Sequence, residues 1–264
     1  MSDPLGRAPL RLVVPAALGT AVLVLPLLAL VARSPWASLA GQLASEPVRQ
    51  ALWLSLWTST VAVTVCLLLG LPLAWLLARV RFRGRGALRA LVTVPLVLPP
   101  VAAGVALVAA FGRTGIVGGP VLDATGFALP YTSPGVVAAH VFVSLPFVVI
   151  SVEGALRAGD PAYDGAAATL GATRWTAFRR VTVPLALPGI AAGAVLAWAR
   201  SLGEFGATIT FAGAYPGRTQ TMPVLVYETY QSQPDAARAL SLLLLVVSVG
   251  VLVALRRRWL GVAA

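Results

Sequence analysis

Residues 157–183 read RAGDPAYDGAAATLGATRWTAFRRVTV and run into Pro184, with a second proline at Pro188. Apolar segments of membrane length flank this stretch on both sides. Within it Arg157, Arg174, Arg179 and Arg180 are joined by Asp160 and Asp164, in a chain that is 58% hydrophobic with a mean hydropathy of +0.87. Asp160 and Pro161 read as a helix start, an acceptor side chain at the N-cap followed by proline at the first helical position. Residues 162–170 are rich in alanine and strongly helix-forming. Gly171 predicts a stop or bend, and 172–181 a second short helix with Trp175 and Phe178 on one side. Small residues at 165–168 leave a surface of little side-chain bulk, suited to sitting deep in a groove on a partner. Two readings stay open on these grounds: a docking surface for something soluble, or an amphipathic loop lying on the bilayer.

Working outward, 264 residues would suit one soluble domain by length, but the distribution of charge argues otherwise. Six segments are nearly free of ionisable groups and long enough to cross a hydrocarbon core of roughly 30 Å. They are 12–32, 48–78, 90–111, 135–156, 188–212 and 236–255. The expected fold class is therefore all-α, a polytopic membrane protein with six transmembrane helices. The first apolar run is too long for a signal peptide, and no small-residue cleavage site follows it. Between the third and fourth spans, 112–134 is rich in glycine and proline and predicts an external loop with a short re-entrant or interfacial piece. Prolines 26, 72, 95, 99, 100 and 146 fall inside or at the ends of spans, where neighbouring helices, water or local distortion can satisfy the freed carbonyls. This divides the chain into 1–47 (tail, first helix and external loop), a core at 48–255 containing the polar loop 157–187, and a C-terminal tail at 256–264.

All 20 basic residues are arginine, and the net charge is +11. In a soluble protein that charge would suggest nucleic acid as a partner. Here the arginines form short clusters between apolar spans, with no aromatic-interleaved basic surface, which argues against nucleic acid. Membrane topology explains them better. Placing the N-terminus inside puts Arg7, Arg11, Arg79, Arg81, Arg83, Arg85, Arg89, Arg157, Arg174, Arg179, Arg180 and Arg256–Arg258 on the cytoplasmic side. Only Arg33, Arg49, Arg113, Arg218 and Arg238 fall on the other, so the positive-inside rule predicts two cytoplasmic termini and a cytoplasmic polar loop. The single cysteine, Cys66, reads as a packing residue, and a single histidine excludes a histidine-based metal cluster. A phosphate-binding loop of the G-x-x-x-x-G-K-[S/T] type needs a lysine, and the chain has none. Any ATP is hydrolysed on another polypeptide, so the chain is not expected to be an enzyme by itself.

The polar loop resembles the signature loop of importer-type ATP-binding-cassette (ABC) permeases: Glu-Ala-Ala, three residues, Gly, nine residues, Ile-x-Leu-Pro. Gly165, Ala166, Ala167, then Gly171, then Val181, Thr182, Val183 and Pro184 stand at the matching positions. Glycine replaces the family's acidic first residue, with Asp164 immediately before it. The resemblance implies a type I ABC importer permease fold and a coupling helix, carried by Asp164, Gly165, Ala166, Ala167, Gly171, Val181 and Pro184, that docks on an ATP-binding subunit. It further implies that ATP and Mg belong to that subunit, with no cofactor on this chain. An extracytoplasmic binding protein that delivers cargo, a second copy of the chain, and residence in a bacterial or archaeal inner (plasma) membrane are implied in the same way.

A second distinctive run, 199–213, places Arg200 and Glu204 inside the expected fifth span. Buried ionisable groups are costly in a membrane unless they pair or face water. Four residues apart on a helix, they share a face and offset each other's desolvation. Thr208 and Thr210 add hydroxyls, and the four residues read either as the lining of a pathway or gate, or, for the charged pair, as a structural tie between spans. Gly203 to Thr208 with Phe211 to Gly213, then Pro216 to Pro223, resembles the molybdate and sulfate branch of these permeases, the molybdate type most. Molybdate, tungstate and sulfate are tetrahedral dianions of similar size. An ion-coupled secondary transporter is the rival class; it needs intramembrane coupling residues and often an internal repeat, and the halves show no convincing repeat.

Overall fold

The computed structural model describes residues 10–160 and 162–260, apart from the side chains of Leu10, Asp164, Leu252 and 254–260. Arg7 and Pro161 lie outside the described residues, as do the side chains of Asp164 and Arg256–Arg258. All regular structure described is helical: α1 (Leu10–Ala32), α2 (Leu39–Leu43), α3 (Glu46–Arg79), α4 (Arg85–Val97), α5 (Pro100–Phe111), α6 (Gly118–Thr125) and α7 (Ser133–Ala158). There follow α8 (Ala162–Thr169), α9 (Arg174–Ala177), a π-helical turn (Phe178–Thr182), α10 (Val183–Leu185), α11 (Leu187–Leu202), α12 (Gly206–Phe211), α13 (Met222–Ser232) and α14 (Pro234–Leu260). Four helices are long and apolar enough to cross a membrane, and up to six spans result if each of two bent helix pairs counts as one.

The spine of the molecule is α3, α7 and α11. Cys66 on α3 lies beside the Val141 carbonyl of α7 (3.7 Å), and Gly159 just past the end of α7 lies beside Arg79, so α3 and α7 run parallel. Trp198 of α11 donates to Thr60 of α3 at 3.4 Å, and Ser201 meets Ser144 at 2.8 Å, so α11 returns antiparallel between them. A Cβ at Gly189 would lie 2.3 Å from the Ala155 Cβ, so glycine is what lets α11 approach α7. Val63, Leu77, Val148, Val149, Val152 and Ile190 fill the space among the three helices. A second cluster joins α5, α7 and α12 through Leu107, Val143 and Phe211; a third joins α3, α13 and α14 through Val48, Met222 and Leu240.

Two expected spans differ from simple rods. The third, expected as one run over 90–111, is α4 and α5, bent by 120° at Leu98 and Pro99. Consecutive prolines at 99 and 100 remove two N–H donors and force extended backbone ahead of them, which ends a helix. The fifth, expected over 188–212, stops at Leu202; Gly203 to Phe205 form a break before α12. The external loop does contain a short helix, α6, whereas α2 and α13 carry no long apolar run and were not expected as helices.

The fold sorts the arginines by end. Arg79, Arg81 and Arg174 line one cavity beside the polar loop, and Arg89 and Arg157 share the carboxylate of Glu153 near by. At the opposite end Arg113 and Arg218 line another cavity, and Arg238 donates to the Arg33 carbonyl at 3.2 Å. This is the division that the alternation of spans assigns from sequence.

Candidate functional site

The polar loop folds as two short helices with a bend between them. Asp160 Oδ1 accepts the Ala162 N–H at 2.9 Å and so caps α8. Gly171 takes φ 80°, the left-handed conformation that only glycine adopts cheaply, and turns the chain through N–H bonds from Gly171 to Ala168 and from Ala172 to Ala167, both 3.0 Å. Thr173 accepts the Thr176 N–H at 3.2 Å and starts α9. The second helix begins at Arg174 rather than 172 and passes into the π-helical turn. Gly165, Ala166 and Ala168 are exposed and Ala167 is half-buried; Val181 is half-buried and Pro184 exposed. Leu170 and Trp175 present large apolar side chains to the outside, 89% and 68% exposed.

The loop is fastened to the spine. The Trp175 and Phe178 rings stack at 5.7 Å, and Phe178 meets Trp75 of α3 edge to face at 6.1 Å. The segment Arg174–Leu185 then turns by 71° into α11. The loop thus touches α3 through an aromatic contact and continues into α11 through the chain itself. A buried cluster that the sequence reading passed over sits close by. Glu153, 6% exposed, accepts from Arg89 Nη2 of α4 at 2.5 Å and from Arg157 Nη2 at 2.8 Å. Arg89 also reaches the Leu77 carbonyl of α3 at 3.5 Å, so one carboxylate ties α3, α4 and α7 together. The signal was present as a lone acid in an apolar helix with arginine four residues on.

At the far end of α11 the structure brings Arg200 and Glu204 together as an ion pair. The two do not share an unbroken helical face: Glu204 lies in the break after Leu202, 1% exposed, and its second oxygen accepts the Ala207 N–H at 2.7 Å. The carboxylate thus holds the end of α11 to the start of α12. Thr210 bonds back to the Gly206 carbonyl at 2.8 Å and packs on Gly104 of α5. Thr208 is fully buried and its hydroxyl has no partner among the described residues. His140 of α7, 1% exposed, is likewise without a hydrogen-bond partner on either ring nitrogen. Among the described residues no group of three or more His, Cys, Asp or Glu is placed to hold a metal ion.

A helical membrane core carrying a fastened two-helix loop at one end is the architecture of an ABC importer's membrane subunit. The chain superposes on a crystal structure of a bacterial ABC transporter involved in the import of the acidic polysaccharide alginate, with a TM-score of 0.79, 19% identity, and 96% and 95% of the two chains covered. Residues 67–261 match the family of binding-protein-dependent transport system inner membrane components, and the chain belongs to it as a non-catalytic membrane-spanning permease subunit of an ATP-driven importer. It is 47% identical over 234 residues to the molybdenum transport system permease protein of Mycobacterium tuberculosis, covering 89% of this chain and 88% of that one. To the sulfate transport system permease protein CysT of Escherichia coli it is 36% identical over 231 residues, covering 86% and 83%.

Proposed function

We propose that two copies of this chain form the pathway by which a tetrahedral oxyanion, molybdate first among them, is imported into the cytoplasm. The observation that carries the cargo is the graded similarity: 47% identity to a molybdenum permease against 36% to a sulfate permease over comparable lengths. The described spans hold no cluster of arginines that would make a tight dianion site, which suits a pathway an ion must leave as readily as it enters. Selectivity then resides in an extracytoplasmic binding protein that hands over the ion.

The core at 48–255 does the work, with the termini and the loop 157–187 in the cytoplasm. An ATP-binding subunit, holding ATP and Mg, receives the loop; Gly165, Ala166, Ala167 and Gly171 provide the close-fitting face, Val181 and Pro184 the return to the membrane. Asp164 directly precedes Gly165, the position at which the family carries its acidic residue, and either takes over that residue's contact or leaves it unmade. When the ATPases close on ATP they displace the loop, and α3 and α11 move against α7. The motion reaches the break at Gly203 to Phe205, where Arg200, Glu204, Thr208 and Thr210 form the gate region. Uptake by the reconstituted complex with its binding protein tests the reading. Molybdate or tungstate should be taken up in preference to sulfate; equal or better sulfate uptake would overturn the cargo and leave the permease.

A further inference from the structure

A cavity of about 450 Å³ lies between the polar loop and the end of α3. Arg79 ends α3, Arg81 follows just past it, and Arg174 comes to the same place from the start of α9. Two stretches far apart in the chain therefore converge three guanidinium-bearing side chains on one recess. No carboxylate is among the described residues that line it. Arg81 and Arg174 are exposed and have no ion-pair or hydrogen-bond partner among the described residues, whereas Arg89 and Arg157 near by share Glu153. Like charges brought together repel, and an anion between them relieves that repulsion.

The level of the cavity along the fold decides what kind of anion reaches it. Trp75 and Arg79 stand in the last two turns of α3, a helix long and apolar enough to cross a membrane. The recess therefore sits where a spanning helix leaves the hydrocarbon, at the depth of lipid headgroups. Its apolar wall is aromatic, with the Trp75 and Phe178 rings edge to face, and tryptophan favours that depth. An adjoining smaller cavity shares Arg79 and Thr182 and is walled by Leu185 and Ala186; Asp160 also lines it, its carboxylate engaged in capping α8. Leu185 and Leu187, 56% and 54% exposed, then carry an uncovered apolar strip into α11, part of a bent span. A basic recess beside such a strip suits a molecule with an anionic head and hydrocarbon tails. A soluble acidic segment would use the arginines and leave the strip bare. The volume is that of a site for a sizeable organic group, more than a bare four-oxygen ion needs.

We propose that this cavity holds the headgroup of an anionic phospholipid, its phosphodiester oxygens on Arg81 and Arg174 and its acyl chains along Leu185 and Leu187. Guanidinium groups form short, charge-assisted and often paired hydrogen bonds with phosphate oxygens. Basic recesses among membrane helices are places where acidic lipid headgroups bind. One headgroup touching both arginines joins the polar loop to the end of α3. The assignment needs this end of the molecule to lie at a bilayer surface; that the surface is the cytoplasmic one rests on the proposed function.

The test titrates the permease–ATPase complex, held in a neutral detergent, with phosphatidylglycerol or phosphatidylcholine and counts bound lipid by native mass measurement. The unaltered complex should bind phosphatidylglycerol at least about tenfold more tightly than phosphatidylcholine. Arg81→Gln with Arg174→Gln should remove that preference and keep the ATPase. Arg11→Gln with Arg83→Gln, an equal loss of charge outside the cavity, should leave the preference intact. Millimolar molybdate or inorganic phosphate should not displace the lipid. A preference that survives Arg81→Gln with Arg174→Gln overturns the inference, as does its absence from the unaltered complex. Equal loss in both double variants shows attraction by net charge alone and overturns it too. Release of the ATPase from the Arg81 and Arg174 variant assigns the cavity to the ATPase, and displacement by molybdate or phosphate assigns it to a free oxyanion; either refutes the lipid. Oxyanion uptake is read separately, and its failure overturns the proposed function without moving any of these affinities.

Discussion

Glu204 uses both carboxylate oxygens, one on Arg200 and one on the Ala207 N–H, and is all but excluded from solvent. A charge held this way is supported by its partner, and removing that partner leaves it buried and uncompensated. Glu204→Gln keeps an acceptor for Ala207 and removes only the charge; Arg200→Gln removes the opposite one. Each single variant should lower the thermal stability of the detergent-solubilised complex more than the double variant does, with a coupling energy of about 1 kcal/mol or more. Near-zero coupling with equal loss of transport in all three would instead make Glu204 a gate residue acting alone. Glu153 poses the same physics at the other end of the spine, with two arginines from two helices on one buried carboxylate.

The element proposed to dock on the ATPase is the bent pair α8 and α9. Its shape depends on one dihedral, the φ of 80° at Gly171, and its surface on the missing side chains at 165–168. A β-branched residue at 171 is driven out of the left-handed region, swinging α9 relative to α8. Gly171→Val, and separately Ala167→Arg on the docking face, should abolish oxyanion uptake and the stimulation of ATP hydrolysis by loaded binding protein. Membrane insertion should survive in both, because the loop lies outside the hydrocarbon. Normal uptake with normal stimulation in either variant would show that the loop does not dock as proposed. The π-helical turn at Phe178–Thr182 belongs to the same element; it sits where the loop meets α3 and α11, and such turns often mark functional sites.

One copy of the chain leaves broad apolar faces uncovered by its own residues. The apolar window of α1 has none of its residues buried within the chain, and the bent pair α4 and α5 leaves Val97, Val101 and Val105 exposed. Lipid or another subunit covers these faces. If each ATPase receives one loop, as proposed, closed two-fold symmetry provides two loops for two ATPases. Native mass measurement of the extracted complex should give permease and ATPase in a 2:2 ratio; an active complex with one permease copy would sink this assembly.

The sequence by itself determined the class of fold, the sorting of arginines between two ends, and the position and bend of the polar loop. These follow from short-range physics: span length against bilayer thickness, an N-cap at Asp160, and a left-handed turn that only glycine takes cheaply. The Arg200–Glu204 pair was legible because residues four apart meet on one helical turn, and the turn that ends α11 keeps them that close: the Gly203 and Glu204 N–H groups bond back to the Ala199 and Ser201 carbonyls at 3.2 and 3.1 Å. That the pair closes a break between two helices was not legible, because apolar residues resume directly after Glu204 and hydropathy does not register where backbone hydrogen bonding stops. The 120° turn at Pro99 was visible as prolines but not as an angle, which packing against α12 and α7 sets. Glu153 with Arg89, and Arg113 with Arg218, join residues far apart in the chain. Only the tertiary structure brings them together, because what places them is the close approach of whole helices and loops rather than any local preference.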